Sequence, residues 1–389
     1  MILRNASLFA QLLNLISRDK FESLVRQHGA EAHSKGFSCW QQFVSMLFCQ
    51  VGQAHSLREI SMGLATCEGK LVHLGIKEAP KRSTLAYANA HRPWQLYKDL
   101  FASLLESARP YAKGKGKLRF CNPLYSLDAT VIDLCLEMYD WARFRRAKGA
   151  VKLHLVLDHE GYLPVFAHIT DGKTHEVTMA QRLSLPPGAI VAMDRGYNDY
   201  ALFASWCETD VGFVTRMKDN AVYEVIEHKP VPDRGNIISD ELIVLSGARA
   251  QDRCAHILRR IVVWDKEHER ELVLLTNLIH FAASTVARIY KERWQIELFF
   301  KALKQNLRVK TFVGTSANAV KTQLWTALIA MLLLKILQLR STFGWSLSNL
   351  VAILRLNLFT YRDLWEWINK PFEILPSLPA LQQMELAFG

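Results

Sequence analysis

Residues 189–193 read AIVAM, an unbroken apolar run that ends on Asp194-Arg195-Gly196-Tyr197. A strand without polar alternation must be covered on both faces, so it fits the middle of a sheet with helices on either side. The neighbouring stretches share that grammar. LYSLDATVIDL alternates, with Ser126, Asp128 and Thr130 on one face and Leu127, Ala129 and Val131 on the other. AVKLHLVLD and YLPVFAHIT read as an antiparallel hairpin turned at His159–Gly161. Thr174 is placed to cap a helix running to about Leu183, a helix through Trp206 follows AIVAM, and VGFVTRM is a further strand. Three strands, a helix, a strand, a helix and a strand predict a mixed α/β sheet opening on an antiparallel meander. Asp128 falls inside the first strand and Asp194 at the end of the fourth.

The flanks have other textures. Residues 1–112 read as helical: one helix over Cys39–Val51 ends at Gly52, and another starts at Ser56 with Glu59 completing a capping box, the shape of a helix-turn-helix. KRSTLAYANAHRPWQLYKDLF then sets Lys81, Arg82, His91, Arg92 and Lys98 among Tyr87, Trp94 and Tyr97, a mixture suited to a nucleic-acid backbone and groove. Lys113-Gly-Lys115-Gly-Lys117 reads as a flexible basic linker. From residue 218 to about 280 the helical period disappears, and VYEVIEH, ELIVLS, HILRRIVVW and ELVLLTN predict a β-rich insertion. The apolar stretch from Leu324 to Leu334 stops at Lys335; it is too short to span a bilayer and predicts a buried helix. Residues 341–389 read as a helical tail. The predicted organisation is therefore a helical DNA-binding region (1–112), a core (120–340) holding the insertion, and the tail.

Lys and Arg number 48 against 37 Asp and Glu, a net charge of +11, which favours a polyanionic partner and gives no reason to expect a membrane. The seven cysteines lie far apart without metal-ligand spacing, so they read as reduced thiols of a cytoplasmic protein.

The stretch YKERWQIELFFKALK, taken as one helix, brings Tyr290, Arg293, Glu297 and Lys304 into an arc of roughly 60°. Ile289, Ile296, Phe299, Leu303 and Leu307 fill the adjoining, core-facing side. An ordinary amphipathic helix with an Arg293–Glu297 pair would look the same by itself. Two strand aspartates and a helix glutamate together, however, make a set of hard oxygen donors suited to Mg²⁺, with Mn²⁺ expected to substitute. Two such ions about 3.5–4 Å apart can clamp an in-line phosphoryl displacement. Arg293, Lys304 and Lys301 would then hold the substrate backbone, with Tyr290 on a phosphate.

The spacing Tyr290-x2-Arg293-x3-Glu297-x6-Lys304, with SLDAT at Asp128 and MDRGY at Asp194, resembles the bacterial insertion-sequence transposases of the aspartate-aspartate-glutamate class, in the insertion-sequence-four group. The resemblance covers about residues 120–340. It implies a ribonuclease-H-like fold with a β-rich insertion, Asp128, Asp194 and Glu297 as catalytic metal ligands, and two Mg²⁺ ions. It also implies cleavage and rejoining of double-stranded DNA at terminal inverted repeats, by a homodimer on paired ends. The family stacks a tryptophan of its insertion on a base flipped from the duplex, and Trp264 is the positional match. Alternatives are a nuclease of the same fold that cuts without joining, and a DNA-binding relic without catalysis.

Overall fold

The structure, a computed structural model, describes residues 6–373 apart from 33, 35, 68, 117, 119, 135–138, 140, 142, 146, 147, 173, 174, 232, 233, 248 and 249. The expected cap at Thr174 and the linker's Lys117 lie outside the described residues.

Six helices come first: α1 (Leu8–Leu13), α2 (Arg18–Gln27), α3 (Cys39–Val51), α4 (Leu57–Ala65), α5 (Arg82–His91) and α6 (Gln95–Ala112). Ser7, Ser17, Ser38 and Ser56 each accept a backbone N–H at the start of the first four, satisfying donors that a helix end leaves unpaired. The turn between α3 and α4 sits where Gly52 and Ser56 place it. The reciprocal capping box, however, is the one at Ser38 and Gln41, and Glu59 accepts instead from the His55 N–H at 2.8 Å. Every residue of α3 is buried, which makes it a core helix. The basic-aromatic segment is split at Pro93, and only part of it faces outward. Arg92 donates to Gln42 Oε1 at 3.2 Å and to Ser34 Oγ at 2.9 Å, Trp94 stacks on Trp325, and Tyr97 is fully buried. Lys81, Arg82, Tyr87, His91 and Lys98 remain exposed.

The sheet follows: β1 (Leu124–Leu134), β2 (Arg143–Arg145), β3 (Lys148–Asp158), β4 (Leu163–Asp171), α7 (Glu176–Ala180), β5 (Ile190–Met193), α8 (Tyr200–Glu208) and β6 (Gly212–Arg216). This is the expected order with one short extra strand, β2. Then come β7 (Tyr223–His228), β8 (Ile237–Leu245), α9 (Ala250–Arg253), β9 (Leu258–Asp265) and β10 (Arg270–Thr276). The β-rich stretch is no separate sheet. β10 pairs antiparallel with β6, so one ten-stranded sheet runs β2-β3-β1-β5-β6-β10-β9-β8-β7, with β4 on β3. Its parallel pairs are β1–β5 and β5–β6.

Five helices complete the described residues: α10 (Ala283–Glu292), α11 (Trp294–Asn306), α12 (Ala317–Arg340), α13 (Leu347–Leu356) and α14 (Leu364–Asn369). As AIVAM demands, β5 is buried on both sides. Val191 and Met193 pack with Phe203 and Trp206 of α8, while Ile190 and Ala192 pack with Val286 and Ile289 of α10. The largest core joins α1–α6, Leu153, Leu155 and Leu157 of β3, and α11–α14. α12 runs through it. With 24 residues, α12 is long and apolar enough to cross a membrane by length and composition, contrary to the short span read from 324–334, yet 94% of its apolar window is buried in the protein. Lys335 does not end the helix, because its ammonium donates to Gln338 Oε1 at 2.9 Å and lies 5.8 Å from the centre of the Tyr162 ring. Burial pushes its pKa down to about 8.

Candidate active site

The register of the parallel strands builds the first half of the site. Leu127 of β1 pairs with Met193 of β5, so the next residues, Asp128 and Asp194, reach the same level on neighbouring strands. Those strands run about 4.8 Å apart. The second half comes from α11, which packs across β1. Arg293 donates to Asp128 Oδ2 at 3.4 Å through Nη1 and to Glu297 Oε1 at 2.6 Å through Nη2. The guanidinium therefore stands between two of the three expected carboxylates.

The segment carrying them is not one helix. α10 stops at Glu292, Arg293 sits at φ −50°, ψ −33°, and α11 starts at Trp294. The bonds Arg293 N–H to Tyr290 O and Ile296 N–H to Arg293 O, both 3.1 Å, span three residues and tighten the chain into a turn. The cause lies in the packing: Val286 and Ile289 belong to the cluster under β5 and β6, whereas Ile296, Phe299 and Leu303 belong to the core around α12. A break lets each half seat on its own apolar surface. It also sends Glu292 away from the triad, to Tyr162 Oη at 3.3 Å and His159 Nδ1 at 4.0 Å, as its place on the helical wheel implies.

Burial raises the Asp128 pKa to about 6. Glu297 and Asp194 push the same way, against the Ala129 N–H, 2.7 Å from Oδ1, and Arg293. Arg293 titrates above the usual guanidinium value although burial opposes it, because Tyr290, Glu297 and Asp128 all favour its charge. Its Nε is buried without a protein partner. Tyr290, on α10, holds its ring 5.7 Å from that guanidinium; burial raises its pKa against the pull of Arg293 and Arg216. Lys304 donates to Val131 O at 2.9 Å, fastening α11 to β1, and burial lowers its pKa. Lys301 is exposed on α11. Trp264, 39% exposed, lies on β9 opposite Glu271 of β10. β10 pairs Leu274 with Arg216, the last residue of β6, so its earlier residues and Trp264 extend past the end of the sheet where Asp194 lies.

Two further residues border the site. Tyr197 is fully buried and its hydroxyl has no hydrogen-bond partner. Burial, then Asp128, Glu176 and Asp194, push its pKa far up. Glu176, the first residue of α7, pairs with Lys152 Nζ at 3.4 Å. Tyr197 was readable in MDRGY only as part of a motif. For Glu176 the sequence offers no signal, since its position depends on how α7 packs.

Among the described residues no three Asp, Glu, His or Cys side chains converge tightly enough to chelate one ion together. Mg²⁺, however, keeps most of its waters and needs only one or two carboxylates. Asp128, Asp194 and Glu297 fit such an ion in donor chemistry.

Fold and site define a class: a mixed α/β protein with an acidic centre, crossed by one arginine, where the parallel pairing of β1 with β5 ends. Residues 119–333 match the family model described as "Transposase DDE domain", and the chain belongs to that family of transposases. Residues 4–77 match a domain of unknown function, DUF4372. The chain is 28% identical over 302 residues to a Sinorhizobium fredii protein named as transposase y4zB, covering 77% of this chain and 83% of that one. It is 30% identical over 254 residues to a Geobacillus stearothermophilus protein named as a transposase for insertion sequence element IS5377, covering 65% and 66%. It overlays on the cryo-EM structure of the piggyBac transposase synaptic complex with hairpin DNA at TM-score 0.45 and 9% identity, covering 96% of this chain and 81% of that one, a likeness too slight to carry an argument.

Proposed function

We propose that this transposase serves an insertion sequence of the insertion-sequence-four group, cutting double-stranded DNA at the element's terminal inverted repeats and joining the ends to target DNA. The observation that supports this best is the convergence of Asp128 and Asp194 on paired strands with Arg293 linking Asp128 to Glu297. Asp128, Asp194 and Glu297 would hold the divalent ions. When bound, these would make a nucleophile of water or a 3′-hydroxyl and neutralise the leaving oxygen.

The chain's own side chains set the rest. Arg293 balances the charge of Asp128 and Glu297, and its unpaired Nε can donate to a phosphate oxygen. Tyr290 sets its ring 5.7 Å from that guanidinium. Lys301 offers a mobile cation on the exposed face of α11, while Lys304 keeps the helix on β1 and adds positive charge near the strand. Trp264 presents an exposed indole at the same end of the sheet, suited to stacking on an unpaired base. Lys81, Arg82 and Lys98 supply phosphate contacts along the N-terminal helices, consistent with the net charge of +11. A homodimer holding two ends would place two such sites on one complex. The test is cleavage of a labelled element end in Mg²⁺ by Asp128→Asn, Asp194→Asn and Glu297→Gln. Each is expected to lose at least about a thousandfold in cleavage while end binding changes little; retained cleavage by any one would remove that residue from the centre.

A further inference from the structure

Two separate ties join β1 to the joint between α10 and α11. The first is made by the reacting centre itself, where Arg293 links Asp128 to Glu297. The second lies just upstream on both elements and touches none of the three carboxylates. Ser126, on the same face of β1 as Asp128, bonds through Oγ to His159 Nε2 at 2.7 Å. His159 Nδ1 faces Glu292 Oε2 at 4.0 Å, and the Tyr162 hydroxyl donates to the same oxygen at 3.3 Å. Glu292 is the last residue of α10 and the immediate neighbour of Arg293.

His159 and Tyr162 both belong to the turn from β3 to β4, and that turn is anchored. The Gly114 N–H donates to Glu160 Oε1 at 2.6 Å, and the Glu160 N–H to Asp158 Oδ1 at 2.8 Å. A Cβ on Gly161 would come 2.7 Å from the Ala112 Cβ, so the turn sits against the end of α6 at a distance that only glycine allows. Tyr162 is held at φ +55°, a left-handed conformation that a bulky residue keeps only where its surroundings impose it. A turn needed only to reverse the chain would carry glycine or asparagine there without strain. In this conformation the tyrosine places its hydroxyl on Glu292 and its ring 5.5 Å from the His159 ring.

We propose that Ser126, His159, Tyr162 and Glu292 are positioning residues, which fix the α10–α11 joint to β1 and so keep Arg293 and Glu297 opposite Asp128. This rests on the reading of Asp128, Asp194 and Glu297 as the reacting centre. The first tie uses the same carboxylate oxygens and guanidinium that the reaction needs, so it weakens as substrate is bound. The second is built from groups that the reaction leaves alone, and it persists while the first is given up. Its lever is short, because Glu292 adjoins Arg293 and lies five residues before Glu297.

The experiment measures, on the full chain, the rate of end cleavage at saturating protein, the affinity for a labelled element end, and thermal unfolding. Wild type, Tyr162→Phe, Glu292→Ala, Glu292→Gln, the double variant Tyr162→Phe with Glu292→Ala, and Glu297→Gln are compared. Glu292→Ala should slow cleavage by about 10- to 100-fold and Tyr162→Phe by a smaller factor, with end affinity unchanged. Glu292→Gln, whose amide oxygen still accepts the phenol proton, should recover most of the rate. The double variant should be no slower than Glu292→Ala, because both changes remove one contact. If Glu292→Ala does not fold, Tyr162→Phe, which loses a single oxygen atom, carries the test with Glu292→Gln. Wild-type rates in Tyr162→Phe and Glu292→Ala, whatever their melting temperatures, overturn the positioning role and leave the centre standing. So does a loss of end binding that accounts for the slower rate. Wild-type cleavage by Glu297→Gln overturns the reading of the centre, and this inference with it.

Discussion

Asp128 is a carboxylate whose folded surroundings favour its proton, and that has consequences with a definite sign. Its pKa rises from 3.8 to about 6 by burial, so the folded protein holds the proton more tightly than the unfolded chain. The stability from this group is complete below about pH 4 and is lost as pH rises through about 6. At pH 7.5 the metal-free Asp128→Asn protein should therefore be more stable than wild type, by on the order of 2 kcal/mol, in urea or thermal unfolding. The gain should fade toward pH 4. Metal binding and cleavage move the other way: both should rise with pH through about 6, falling near tenfold per unit below it. A flat profile between pH 5 and 7 would contradict this role for Asp128. The Arg293–Glu297 contact was legible at this scale, because residues four apart on a helix must meet. Glu176 beside Gly196 was not, since nothing local to either residue announces a contact made by tertiary packing.

Strands declared themselves through alternation and through the apolar run of β5, whose two buried faces leave few other readings. Helix continuity did not. The period of residues 283–306 is helical on both sides of Arg293, and only the two separate apolar clusters beneath show why the chain turns there. The pairing of β10 with β6 was equally hidden, because a strand pattern states which face is buried but not which edge is taken. The turn at 195–197 gives this scale its prediction. In Gly196→Ala the new methyl meets Glu176 Oε2 at 2.8 Å, so Glu176 or the turn must shift beside Asp194. Cleavage should fall by about tenfold or more with a cooperative unfolding transition retained. Unchanged cleavage would show that the spacing between Glu176 and Asp194 is not critical.

The molecule as a whole is held by cores that ignore the divisions visible in the sequence. The N-terminal helices, one face of β3 and α11–α14 share one cluster, with α12 buried at its centre. Composition pointed to a polyanionic partner and the motifs to the site, but the sharing of this core was legible only in part, through the apolar stretch of α12. An isolated fragment of residues 120–340 would uncover α12 and should show no cooperative unfolding transition by circular dichroism; a sharp transition would mean the sheet stands alone. The central claim is that one centre, Asp128, Asp194 and Glu297, both cuts and joins DNA. It is tested most directly by strand transfer in Mg²⁺, with the element's own end DNA, a supercoiled target, and wild type against Glu297→Gln. Joined products from wild type, abolished in Glu297→Gln while end binding persists, are the predicted result. Cutting without joining by wild type, or joining that survives in Glu297→Gln, would contradict it.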